Sequence, residues 1–419
     1  MMKLSPKTRS YFLAVIILLV FNPMSRAYSA SLGAVPSLSL SESWDSNIFN
    51  ASQDEESDFI FRATPSLDFF LSAFYTTLRF GGSLEVEQFA KHSELNNTSN
   101  AITRNLNLAV EKSRPLQITP LFTIAPSVRY VETHDMVRRN QLTGSTTPGL
   151  PPSETAVTSR IGVREYGGGV TMGYTFTQRF TFELGGAGYR REFTDSTPGL
   201  VDSKIYSLHS AVTRTITPRF SSGIFFDVAD NRYDSGSESR TYTTGLTGSY
   251  VLTEHHNVFF GVGATNTQDY DVNGNSTKQG WSPYGSLSLS YNWKSFVADL
   301  SVSYQIAGGG SFGTTTRRGS GSLNLSDSFT ERWSWLLSGS YQRNSSFADA
   351  SPVDPSAVET VSGTAKIVYS PAPWASFELN GNHFQQWSNN TLDFRRSAIS
   401  LIFRTGITIG KIIPYGISN

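Results

Sequence analysis

The chain has no cysteine. That absence excludes disulfides, thiolate metal sites, haem attachment through C-x-x-C-H and a lipid anchor carried on cysteine. Charge is scarce as well: charged residues make up 16% of 419 residues, and 34 basic residues balance 34 acidic ones to a net charge of zero. Soluble chains of this size carry about 25% charge. A zero balance also excludes the basic face that nucleic acid requires. Long apolar runs are missing beyond the first residues, and nothing after them approaches the roughly 20 apolar residues of a transmembrane helix. No G-x-S-x-G or H-E-x-x-H accompanies the chain's His-Ser pairs, which leaves two hydrolytic signatures without support there.

What is present begins with an export signal. Lys3, Lys7 and Arg9 precede a short apolar core from Tyr11 to Phe21, and Ser25-Arg26-Ala27 offers a small-x-small cleavage site. This pattern predicts a cleaved signal peptide over residues 1–27 and one mature unit over 28–419.

The stretch Tyr174 to Phe193 organises the rest. Val170, Met172 and Tyr174 alternate with Gly169, Thr171 and Gly173, and after a polar turn Phe180, Phe182 and Leu184 alternate with Thr181, Glu183 and Gly185. Period-two alternation marks strands with one apolar face. Similar turns recur near Pro218, Glu254, Lys294, Glu331 and Ala372, spaced by roughly 40 residues. Each unit is two strands, a short turn and a longer polar loop. That predicts an all-β fold: a transmembrane antiparallel up-and-down β-barrel of about 18 strands, with 16–18 in range. The first strand is read as Val35 to Phe49, a further short turn near Ser113, and longer loops near Asn96, Thr146, Thr197, Ser235, Asn273, Gly310 and Ala350. Pro65 and Pro126 are read as bends near strand ends. An even strand number puts both termini in the periplasm.

Closure follows from solvent. Hydrocarbon offers backbone groups no partner, so an open sheet edge is too costly and the sheet must close. Trp293, Trp333, Trp335 and Trp374 lie beside short turns, while Trp44, Trp281 and Trp387 lie near the opposite strand ends. Those are the places of interfacial aromatic girdles.

The opening Pro36-Ser37-Leu38-Ser39-Leu40, then Trp44-Asp45-Ser46-Asn47-Ile48-Phe49 and Ala63-Thr64-Pro65-Ser66-Leu67, resembles the Gram-negative outer-membrane β-barrel porin family whose relatives often accompany exopolysaccharide systems. In that family a D-x-N-[IV]-[FY] element ends the first strand. The resemblance implies an outer-membrane barrel and leaves the substrate open. Many such barrels finish on an aromatic residue, whereas this chain runs past Phe403 and Tyr415 to Asn419.

Alternation places Arg62, Asp68, Arg79, Glu85, Arg129, Glu183, Asp227, Asp299, Glu378 and Arg396 opposite the apolar face. Arg in the lipid midplane costs ~2–4 kcal/mol, so these ten are candidate pore-lining residues. They can set a transverse field in a wet pore or pair as wall structure. His92-Ser93 and His209-Ser210 suggest at most a rim enzyme. His255-His256 reads as a solvated turn. Asp269-Tyr270-Asp271-Val272-Asn273-Gly274 matches half a calcium loop, but Gly280 stands where the bidentate Glu belongs, so an Asn-Gly hairpin turn is preferred.

The expected function is a non-enzymatic outer-membrane channel for a polar solute or polysaccharide, with no cofactor. A barrel housing a partner of an export or electron-transfer complex is the alternative. Outer-membrane lipid, lipopolysaccharide and the barrel-assembly machinery are the expected partners. The Met136–Ser159 connection, the longest, is a candidate constriction if it folds inward.

Overall fold

The computed structural model describes residues 30–73, 76–96, 103–110, 115–133, 162–193, 201–308, 315–346, 357–388 and 393–413. The expected signal segment 1–27 and the Met136–Ser159 connection lie outside the described residues. The strands are β1 (Ala30–Asp45), β2 (Asp58–Ala73), β3 (Thr76–Phe89), β4 (Thr103–Val110), β5 (Leu116–Thr119), β6 (Phe122–Thr133) and β7 (Val163–Thr177). They continue as β8 (Phe180–Phe193), β9 (Ser203–Thr217), β10 (Phe220–Tyr233), β11 (Glu238–Val251), β12 (His256–Tyr270), β13 (Ser276–Trp293) and β14 (Phe296–Gly308). The last are β15 (Thr315–Ser328), β16 (Trp333–Ser346), β17 (Val358–Ala372), β18 (Ala375–Ser388), β19 (Phe394–Gly406) and β20 (Ile409–Ile413).

Apart from β4 with β5 and β19 with β20, each strand pairs antiparallel with its chain neighbours, and β1 pairs with both β19 and β20 to close the sheet. β4 and β5 share one stave against β6, and β19 and β20 share one against β1. Twenty segments therefore make 18 staves. Outward positions are apolar and exposed, as with Leu38, Phe80, Val128, Leu246, Leu300 and Leu401. A sheet with so much exposed apolar surface on its convex side is soluble only against lipid. No helix among the described residues is long and apolar enough to cross a membrane.

The recurring turn has a common cause. The Oγ1 atoms of Thr119, Thr177, Thr217, Thr253 and Thr330 each accept a hydrogen bond from the backbone N–H two residues on, at 3.2–3.3 Å. The hydroxyl takes a donor the turn would leave unpaired, so Thr ends the strand at 119, 177 and 217 and sits two residues past it at 253 and 330. The turn expected near Ser113 is thereby corrected. Residues 111–114 lie outside the description, and the chain reverses at Pro120-Leu121 under Thr119.

Other boundaries shift for local reasons. The first strand stops at Asp45 rather than Phe49, because the Asp45 carboxylate accepts the Asn47 N–H at 3.1 Å and turns the chain. The loops at Ser235 and Asn273 are short. Gly236 at φ +91° and Gly274 at φ +79° supply left-handed backbone, which lets the strands run almost to the turn. Pro65 and Pro126 lie in mid-strand. Pairing of β2 with β3 passes from Ala63 to Ser66, skipping Pro65. Pro126 falls where β6 leaves β5 for β4. Pro36 lies opposite the gap between β19 and β20. A missing N–H costs nothing where the ladder is already interrupted.

Candidate functional site: the lumen and its mouth

Register puts all ten charged candidates on the concave face, opposite the exposed apolar side chains. Several are wall pairs. Arg62 Nε donates to Glu87 at 2.7 Å and its guanidinium also bonds Ser43. Arg396 grips Asp45 through Nη2 at 2.6 Å and Nε at 2.9 Å. Glu378 is buried between Lys366 at 3.4 Å and Arg404 at 3.3 Å. Asp227 bonds His209, whose other ring nitrogen lies 3.9 Å from Glu183. Glu85 accepts from Thr64 at 3.1 Å. Asp68 and Arg79 are exposed, and Arg129 and Asp299 are half-exposed. Asp45, Glu87, Lys366 and Arg404 were not among the sequence candidates, yet each contacts a candidate on an adjacent strand, a relation that only register supplies. The acidic Glu165 pairs with Arg191 at 2.6 Å on the same face.

The concave wall has two arcs. From β17 through the closing seam to β10 it carries most of the charged rows just described. From β13 to β17 hydroxyls dominate. Ser301 bonds Ser322, Ser303 bonds Ser320 and Ser340 bonds Ser362, each at 2.7 Å across a strand pair. The run Ser286-x-Ser288-x-Ser290, alternating with leucines and tyrosine, signals this arc in the sequence. Aromatic rings lie flat over glycine gaps in the wall: Tyr189 covers Gly167, and Phe225 covers Gly245 and reaches Tyr284 at 5.2 Å. A Cβ at either glycine would strike the ring, so these residues let the rings hug the wall.

At the closing seam a recess opens on the lumen. Ser39, Ser66, Ser83 and Asn107 line it, with Asp68 and Arg404 facing in. Above it the 46–57 loop folds inward. Ile48 is fully buried against inward-facing Ile60 and Phe89. Asn47 donates to the carbonyls of Ala51 at 2.7 Å and Arg395 at 3.0 Å, and its Oδ1 accepts the Ala51 N–H at 2.8 Å. Thus the D-x-N-I-F element clasps β1 to β19. On the loop's outer side His92 contacts Asp58 at 3.0 Å and Glu56 at 2.7 Å. Both hydrogen bonds raise the His92 pKa. Burial pushes Asp58 upward, but bonds from His92, Lys91 and Phe59 outweigh it and hold that carboxyl below its usual range.

A second inward fold lies across the mouth. β13 and β14 pair only up to Gly285 and Tyr304, and Pro283 stands just beyond the split. Past it the β14–β15 tip leans over the inner face of β11 to β13. Thr315 donates to Asp269 at 2.5 Å and shares a 2.6 Å bond with Ser239. Thr265, Thr267 and Ser282 beneath it are buried. The connection expected to constrict the pore lies outside the described residues, whereas the described start of β15 leans inward at the mouth.

The remaining motifs resolve as local structure. His209 faces the lumen and Ser210 the opposite side, so the two cannot act together. His256 packs on Tyr291 at 4.6 Å and bonds Thr253 at 2.8 Å. The Asp271 carboxylate accepts the N–H groups of Asn273 and Asn275 at 2.9 and 2.8 Å, so the turn itself occupies the half calcium loop. Those bonds keep its pKa low, the Asn275 N–H contributing most.

No family model matches the chain, and no curated protein matches it. Solved structures do. It is similar to Pseudomonas aeruginosa OpdL, at 10% identity and TM-score 0.42 over 91% of this chain and 98% of that one. It is similar to P. aeruginosa OccK2 (OpdF), solved in complex with glucuronate, at 8% identity and TM-score 0.48 over 90% and 98%. It is also similar to a BenF-like porin from Pseudomonas fluorescens Pf-5, at 8% identity and TM-score 0.48 over 91% and 99%.

Proposed function

We propose that the protein is an outer-membrane channel for polar solutes. The observation that carries this is the sheet itself: a closed cylinder of 18 staves, apolar and exposed outside, polar inside. Cylinders of about 16–18 strands are too wide for side chains to fill and hold water. The lumen carries charges of both signs, mostly paired, which supports weak ion selectivity. The hydroxyl arc and the seam recess favour neutral, hydroxyl-bearing solutes. Saccharides, including a polysaccharide segment, are the finer reading. The even stave number places both ends of the barrel on the turn side, which is the periplasmic side in this reading.

Planar-bilayer recording tests the channel. The folded protein is expected to give steady conductance with a reversal potential near zero under a salt gradient. Silence under all conditions would sink the channel and favour a barrel that houses a partner. Swelling of vesicles in neutral sugars, compared with charged solutes of equal size, tests the finer reading, and equal rates would remove it. The faces are tested by a neighbouring pair. Leu300→Arg, outward in mid-strand, should cost ~2–4 kcal/mol of folding in bilayers. Ser301→Arg should fold and lower conductance.

A further inference from the structure

The outward face of the loop rim carries a ladder of charge that the channel does not use. It begins where Arg104 meets Glu132 at 2.9 Å, and Glu132 meets Arg164 at 2.9 Å. Arg164 reaches Glu192 at 3.6 Å, and Glu192 meets Arg190 at 2.7 Å. Asp234 then links Arg190 at 3.7 Å to Lys204 at 3.8 Å. Arg232 and Arg240, on β10 and β11, continue the row around Asp230 at 2.8 and 3.8 Å. All the strand members share the register of exposed Leu106, Val128, Leu208 and Phe226, so they face lipid rather than lumen. Seven adjacent staves at ~4.8 Å spacing give a band on the order of 30 Å wide.

The ladder is nearly neutral by count but not by presentation. The Arg104 and Arg164 side chains are 41% and 39% exposed, while Glu132 between them is 6% exposed. The Glu132, Glu192 and Asp230 carboxylates lie underneath and hold the guanidiniums, which turn their remaining donors outward, while Asp234 is itself exposed. Tyr130 and Tyr166 donate to the same carboxylates at 2.7 and 3.1 Å and form the step down to the apolar band. The opposite rim of these staves is built differently. There Phe176, Phe180 and Tyr250 are exposed, and Arg179 and Arg219 stand singly on turns. A bilayer with two alike leaflets gives no reason for such a difference.

The geometry points to the outward ladder as a docking surface for a phosphorylated glycolipid of the outer leaflet. Guanidiniums backed by carboxylates present forked donors to phosphate oxygens. A row of them at headgroup height fits a lipid that carries more than one phosphate on a sugar scaffold. This rests on the barrel spanning a bilayer, and is independent of what passes through it.

The test uses the full folded chain in phospholipid vesicles without additive, with bisphosphorylated lipid A, or with the same lipid stripped of phosphate. Insertion is read by protease protection, and binding by lipid retained after detergent extraction. Wild type should retain lipid A and not the dephosphorylated form. Arg104→Gln with Arg190→Gln leaves Glu132 and Glu192 each with Arg164, so folding should survive while retention falls about tenfold or more. Lys204→Gln, at the ladder's end, gives a second reading of the same loss. Arg179→Gln with Arg219→Gln, on the other rim, should change nothing. Equal retention of the dephosphorylated lipid, or undiminished retention by the ladder variants, would overturn the proposal while leaving the channel intact. A chain that stays protease-sensitive in every vesicle would overturn the membrane reading together with it.

Discussion

At the seam, Arg396 and Asp45 form a buried bidentate pair beside a fully buried isoleucine. At the β14–β15 tip, Thr315 touches Asp269 and Ser239 with hydroxyl bonds alone. Both lean inward at the same mouth, the seam through a buried ion pair and apolar packing, the start of β15 through the Thr315 hydroxyl. The reason lies in the chain. Neighbouring hairpins inherit their register from a turn, and β14 with β15 is such a hairpin. β1 meets β19 with no turn between them, across 351 residues for Asp45 and Arg396. A slip of one residue there would turn every side chain to the wrong face. The ion pair, the Asn47 bridge and the Ser46 bond to the Ser397 N–H at 2.9 Å fix that register side by side.

Breaking the seam should have the largest effect. Arg396→Ala leaves a buried carboxylate uncompensated and should cost ~3–5 kcal/mol in reversible unfolding from bilayers. A cost below about 1 kcal/mol would mean the closure register is set elsewhere. Asn47→Ala comes next. It leaves the Arg395 and Ala51 carbonyls and the Ala51 N–H short of partners, at roughly 1–3 kcal/mol. Its barrel should still close, because the ion pair remains.

The tip should answer in conductance more than in stability. Thr315→Val removes both hydroxyl bonds from a hairpin whose own ladder is intact. Unfolding should shift by about 1 kcal/mol, while single-channel conductance rises. A stability loss as large as that of Arg396→Ala, with unchanged conductance, would show the tip to be a structural clasp like the seam.

How much of this was legible in the sequence follows the same division. Faces and staves come from a local period of two, so Leu300 and Ser301 fall where alternation puts them. The Thr turn was legible too, and Thr119-Pro120-Leu121-Phe122 repeats the pattern of Thr217-Pro218-Arg219-Phe220 closely enough to have located the turn assigned near Ser113. Relations between distant strands were not legible. Nothing near Arg396 points to Asp45, and nothing near Thr315 points to Asp269. Nor does the sequence alone show that β20 continues the last stave beside Ala30–Ala34, after a gap at Ile407-Thr408.

The smallest effect belongs to the outer side of the seam loop, where protonation enters. His92 bridges Asp58 and Glu56, and its ring packs edge-on to Phe49 at 5.2 Å. Its pKa is raised by the hydrogen bonds to Asp58 and Glu56, so the folded loop binds the imidazolium proton more tightly than the unfolded chain does. That contribution is whole below the unfolded His value of about 6.5 and is lost as pH rises through the raised folded value. Asp58 acts at the other end. Burial opposes its charge, but the bonds from His92, Lys91 and Phe59 prevail and lower its pKa. Its contribution is present above the unfolded Asp value of about 3.9 and is lost as pH falls through the lowered folded value. The loop is therefore held best between the two. Unfolding followed from pH 5 to pH 9 should give a small decline for wild type relative to His92→Gln, which keeps a polar side chain but has no titrating ring. Parallel profiles for the two proteins would show that the bridge is too well solvated to matter. A decline absent from His92→Gln, with Arg396→Ala showing the wild-type slope at lower stability, would place the titrating contact outside the buried clasp.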